Sequence, residues 1–151
     1  MADSKRKQII VALRARLEEI KTADGYLTEA GEHVSLGPLA LSADDPLPQV
    51  GLVPAGNELV DKNLDNDETR RWSFSVEGAL KNDDDAVLTV EDLIGDIKRA
   101  IFRKADVILG GLALEVESVA GETATPPQEG GTIYTCAVPV VVRYVEEYGG
   151  S

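Results

Sequence analysis

Cysteine and histidine are almost absent: the 151 residues hold one of each, Cys136 and His33. A lone cysteine excludes an intramolecular disulfide framework and a cysteine-rich metal site. A lone histidine, set in a polar segment distant from Cys136, leaves that thiol without the basic partner a nucleophile needs. It also removes serine-histidine-aspartate and histidine-rich metal chemistry. Cys136 lies inside the apolar run Ile133 to Val142 and reads as buried packing in a reducing compartment. His33 reads as a surface residue near a turn.

Long apolar runs are lacking too. None approaches the roughly 20 residues of a membrane span, and the opening MADSKRKQ leads into an amphipathic pattern instead of a signal-peptide core. A soluble, unexported protein with no membrane partner is expected. Positive charge is scarce as well, with 15 Lys/Arg against 27 Asp/Glu and a net charge of −12. The imbalance is uneven: residues 1–25 carry six basic and four acidic residues, the rest nine and 23. So acidic a body repels phosphate at range, which argues against sequence-reading nucleic-acid binding and against adhesion to an anionic membrane. The basic stretch Lys5, Arg6, Lys7 is short and has no interleaved aromatics, so it makes no nucleic-acid site.

The remaining chemistry is missing for specific reasons. Gly110-Gly111 is not followed by the GK[ST] of a phosphate loop. The acidic runs DNDE (Asp65 to Glu68) and NDDD (Asn82 to Asp85) do not match the calcium loop, which needs alternating acids, a glycine and a distant glutamate. No catalytic residue, metal or cofactor is therefore expected, and the chain reads as a non-enzyme.

What is present reads as one domain over residues 1–151, large enough for a single two-layer core. Ile9, Ile10, Leu13, Leu17 and Ile20 recur at helical spacing and predict a helix from Ser4 to Thr22, capped by Asp3 or Ser4 and ended at Asp24-Gly25. Its other face carries Lys5, Arg6, Arg14, Arg16, Glu18 and Lys21 as a solvated side. Residues 25–48 read as connecting chain with a short strand at His33 to Leu36. Val50 to Val53 predicts a brief strand stopped by a turn at Pro54-Ala55-Gly56-Asn57. Asp61 to Thr69 reads as a mobile polar loop with only Leu64 to anchor it.

The clearest strand follows, where Trp72, Phe74, Val76 and Leu80 alternate with polar residues and so share a core face. Thr89 and Asp92 resemble a capping box for a second helix running to about Lys104. Its buried stripe is Leu93, Ile94, Ile97, Ala100 and Ile101; Glu91, Asp92 and Asp96 come early and basic residues late, as the helix dipole favours. The core is expected to press Trp72, Phe74 and Val76 against Ile97 and Ile101. Gly110-Gly111 opens a strand with Leu112, Leu114 and Val116 on one face, and GETATPPQEGG reads as a loop.

The last strand, Thr132 to about Val145, looks apolar on both faces: Val138, Val140, Val142 and Tyr144 on one, Ala137, Pro139, Val141 and Val145 on the other. A helix would cover one face, and a second layer or a neighbouring subunit the other. Pro139 has no ladder donor and predicts a bulge or an edge. The fold class is α+β, with an antiparallel or mixed sheet and two main helices packed on one side. Candidate interface and loop positions are Asp61, Leu64, Asp65, Asp67 and Glu68 in the acidic loop, and Pro139 and Val141 on the outer face of the last strand.

The order of certain phrases adds to this. KRKQIIVALRARLEEIKT leads to DGYLTEAGEHV, then to QVGLVPAGNE, an acidic loop and RRWSFSVEG; LTVEDLIGDIKRAIF, GGLALEVES and CAVPVVVRYVEEYG close the chain. In order and spacing this resembles the tail terminator, or tail completion, proteins of long-tailed bacteriophages. The resemblance implies a late structural virion protein: a homo-oligomer, expected as a hexameric ring, that sits on the last ring of the tail tube protein. Such a ring stops tube polymerisation and offers its upper face to the head connector or neck protein. DNA would pass its lumen without specific binding, to which an acidic body is suited. The implied location is the virion tail, reached by assembly in the host cytoplasm. Two alternatives stay open: another phage neck or tail-tube ring component, and a small binding domain outside any virion.

Overall fold

A computed structural model describes residues 4–39, 46–103, 106 and 108–147. Asp3, the alternative cap, and Lys104, the expected end of the second helix, lie outside the described residues. The fold is α+β, a six-stranded mixed sheet with two helices on one face.

Helix α1 spans Lys5–Glu18, and the Ser4 side chain accepts the N–H of Lys7 at 3.2 Å as its cap. It stops a turn earlier than the periodicity suggests. The N–H groups of Glu19 and Ile20 bond to carbonyls only three residues back, at Arg16 and Leu17, which tightens the helix end into a 3-10 turn. Ile9, Leu13, Leu17 and Ile20 are wholly buried. Arg16 does not belong to the solvated face. It is 6% exposed, donates from Nη1 to the Ile101 carbonyl at 2.9 Å, and pairs with Asp106 at 2.9 Å.

Strands β1 (Val34–Leu36), β2 (Gln49–Lys62), β3 (Glu68–Lys81), β4 (Glu115–Ser118), β5 (Thr123–Thr125) and β6 (Ile133–Glu146) form the sheet. Its order is β1-β2-β3-β6-β4; only β1 and β2 run parallel. β3 pairs with the whole of β6, from Glu68 opposite Glu146 to Lys81 opposite Ile133, so β4 and β5 must share the other side of β6.

Several expected boundaries move. Pro54 to Asn57 is not a turn: β2 runs through it, and a register shift between Pro54 and Asn57 absorbs an extra residue as a bulge. A proline is tolerated there because β1 pairs with β2 only over Val50 to Leu52, leaving the later part of β2 as an edge. The loop from Asp61 to Thr69 contracts to a tight connection, since Asp61 and Lys62 belong to β2 and Glu68 and Thr69 to β3. The strand expected from Gly110 begins only at Glu115. Leu109, Gly110 and Gly111 have φ of 51°, 64° and 97°, a left-handed path no strand can take. That turn breaks the predicted alternation, burying Ala113 to 7% exposure and leaving Leu114 49% exposed, while Val116 is buried as expected. The loop GETATPPQEGG contains β5.

Helix α2 spans Ala86–Ile101 and begins a turn before the supposed cap. Thr89 is inside it, its hydroxyl donating to the Asp85 carbonyl at 3.0 Å, and so offers no capping box. The earlier start was hidden because Val87 and Leu88 point to solvent, against the amphipathic pattern. Leu93, Ile94, Ile97, Ala100 and Ile101 are buried as expected, in one cluster with Trp72, Phe74 and Val76. Gly78 makes the close approach of α2 to the sheet possible: a Cβ there would lie 2.7 Å from Cys136 Sγ and 2.9 Å from Leu93 Cδ2. Asp96, read as one of the early acidic residues favoured by the dipole, is wholly buried.

Candidate interaction surface

The possible reacting groups are placed apart. Cys136 is buried on β6, and burial pushes its thiol up to about 12, the opposite of what a nucleophile needs. A cavity of about 290 Å³ opens beside it, lined by Leu39, Glu77, Thr123, Thr125, Thr135 and Ala137, with no imidazole. His33 precedes β1, three strands away across the sheet. Among the described residues no three His, Cys, Asp or Glu side chains converge as a metal site.

The acidic runs are spent on local structure. At the tip of the β2–β3 hairpin, Asn63 Oδ1 accepts the N–H of Asp65 at 2.9 Å and of Asp67 at 3.0 Å, which closes the turn. Asn66 takes φ +66°, a conformation asparagine tolerates. Before α2, Asp83 Oδ1 accepts the N–H of Asp85 at 2.9 Å. Of the candidate positions, Asp61 is an exposed residue of β2, Asp65 is exposed at the tip and Asp67 is half-buried there. Glu68 is not a loop residue; it lies in β3 and pairs with Arg70 at 2.7 Å. Leu64 anchors nothing: its side chain is fully exposed at the tip.

Behind the tip, the helix-side face is polar. Arg70 Nε donates to Asn57 Oδ1 at 2.5 Å and Asn57 Nδ2 donates to the Tyr144 hydroxyl at 3.0 Å, joining β2, β3 and β6 near the start of α1, whose Lys5 Nζ donates to the Val145 carbonyl at 2.8 Å. Leu59 and Val60 are half exposed along the free edge of β2. A second register shift, between Leu59 and Asp61, twists this edge further.

Among the described residues no helix covers the opposite face of the sheet. Val141 lies on it as predicted, but is only 2% exposed within the single chain, between Ser73 and Glu117 in register and Pro139 and Arg143 along β6. It is therefore buried already and is not an open contact position. Pro139 is half-buried and fills the gap on β6 between the residues paired with β5 (Thr135 to Ala137) and those paired with β4 (Val140 to Arg143). The ladder to β3 continues past it without a shift, so the missing donor faces the gap.

One row across this open face is made of charge: Glu58, Arg71, Arg143 and Glu115 stand in register on β2, β3, β6 and β4. Arg143 is neutralised by Glu115 at 3.0 Å and Glu117 at 3.2 Å. The second contact is an ion pair alone, because the buried Nε has no formed hydrogen bond. Arg71 is half-buried, and no hydrogen bond or ion pair reaches its side chain among the described residues. Alternation with Trp72 and Phe74 places Arg71 outward, but the register that sets it beside Arg143 comes from pairing of residues 72 positions apart, which no local pattern shows.

Compared with protein-family models and with curated proteins, the chain matches none.

Proposed function

We propose that this chain is a structural ring subunit of a long-tailed phage, a tail terminator that caps the tail tube and joins it to the head. The observation that carries the reading is the two-sidedness of the sheet. Its helix-side face is filled by α1 and α2, while among the described residues no helix lies over the face bearing Arg71, Pro139 and Arg143, which Leu39 approaches only at the Gly51 and Glu77 end. A subunit with one closed and one open face is suited to assembly with copies of itself. The β2–β3 hairpin, with Leu59, Val60 and Leu64 exposed, supplies a second projecting surface for the tube or the connector. The phrase order that resembles tail terminators supports the same reading, as does a net charge of −12 around a lumen that passes DNA. No described helix is long and apolar enough to cross a membrane.

Co-sedimentation with purified tail tubes tests this, with native mass spectrometry to count subunits per complex. Six copies bound per tube end are expected. A folded chain that stays in the supernatant at every ratio would overturn the reading.

A further inference from the structure

We infer that the open sheet face around Arg71 is covered by the start of α2 of a second copy of this chain, with Arg71 answered by a carboxylate of that copy. Arg71 lies directly opposite Arg143, and like charges opposed across a strand pair repel. Glu115 and Glu117 both reach Arg143, whereas Arg71 is half-buried and forms no ion pair among the described residues, not even with the exposed Glu58 opposite it on β2. A half-buried guanidinium with no ion pair, beside small and apolar residues, here Ser73 and the Val141 opposite it, is how an interface anchor looks before its partner arrives.

The chemistry required of the partner is a carboxylate next to exposed apolar side chains. The chain presents that combination at the first turns of α2. Val87 and Leu88 are 64% and 69% exposed, and Asp84, Asp85 and Asp92 are exposed around them. Asp92, one turn from Leu88, has no ion pair among the described residues. Its patch belongs to the helix layer near the Lys81 end of β3, whereas Arg71 lies near the Glu68 end on the helix-free face. The two cannot meet within one chain. Joined between copies they make a head-to-tail contact, which repeats around a ring instead of ending in a dimer. The contact deepens the ring reading and rests on it for closure.

The test is sedimentation equilibrium of the full chain at low ionic strength, up to millimolar concentration, for wild type, Arg71→Glu, Asp92→Arg and the double variant. Circular dichroism checks that each is folded. Each single reversal should weaken self-association about tenfold or more, and the double variant should recover most of it, since the charges are exchanged and not removed. Arg71→Gln, which keeps most of the stem, guards against a folding defect in the reversal and should also weaken association. Unchanged association in the singles, no recovery in the double, or a wild type monomeric throughout each overturns the contact. A monomeric chain that still binds tube ends keeps the terminator reading and loses this inference; an associating chain that ignores tubes does the reverse.

Discussion

The carboxylate of Asp96 accepts the backbone N–H of Thr28 at 2.7 Å from a wholly buried position in α2. The same oxygen takes the Thr28 hydroxyl at 2.8 Å, and the Leu27 N–H lies 3.1 and 3.0 Å from the two oxygens. One side chain thus fixes the connection between α1 and β1 to the second helix. Asp96→Leu leaves those donors buried without an acceptor and should cost about 3 kcal/mol; Asp96→Asn keeps one acceptor oxygen and should cost roughly half as much. A denaturant titration measures both. A loss below about 1 kcal/mol for the leucine variant would show that the connection is held by something else.

Arg16 closes the C-terminal end of α2 through the Ile101 carbonyl and holds Asp106 beside it. Arg16→Met keeps the stem but removes the hydrogen bonds, and a loss of about 2 kcal/mol is expected in thermal unfolding. The Gly110 N–H, with help from Arg16, holds the Asp106 carboxyl below the usual carboxylate range. A depressed carboxylate adds stability above its ordinary range and loses it as pH falls through the lowered value. Asp106→Ala should therefore flatten the acid side of the stability profile and leave the neutral-to-alkaline slope alone. An unchanged acid limb would exclude Asp106 as a contributor.

Phe74 is 2% exposed and its ring centroid lies 4.5 Å from that of Trp72. Phe74→Ala opens a cavity between the sheet and α2 and should cost about 3–5 kcal/mol. A measured loss under about 1 kcal/mol would mean that this strand face is not the core.

Amide exchange should divide the β2–β3 hairpin in a specific way. Asn63 to Asn66 should exchange fast, while Glu68 to Trp72, which lie between two strands, should be slow. Along Asn57 to Lys62, N–H groups facing β3 should be protected and those facing the open edge should not. Uniformly fast exchange from Asp61 to Thr69 would restore the mobile loop suggested by composition.

The fold class was legible because alternation in β3 and β6 and the helical stripes of α1 and α2 are local patterns tied to burial. The boundaries that moved depended on partners distant in sequence. Pro54-Ala55-Gly56-Asn57 has turn composition, but pairing with Phe74 and Trp72 makes it a bulge. Val141 has the sequence of an interface residue and is buried by its own sheet. Asp96 and Arg16 read as surface charges because nothing near them in the chain announces their partners at Thr28 and Ile101. The acidic loop kept its place and lost its length, since a strand with an exposed edge shows little of the apolar alternation by which strands are read.

Electron microscopy of the protein mixed with polymerising tail-tube subunits tests the central claim most directly. If the chain is a terminator, tubes end in a six-fold ring of this protein, and their mean length falls as its concentration rises. Tubes that grow to the same length with folded protein present, and whose ends carry no added ring, would contradict it.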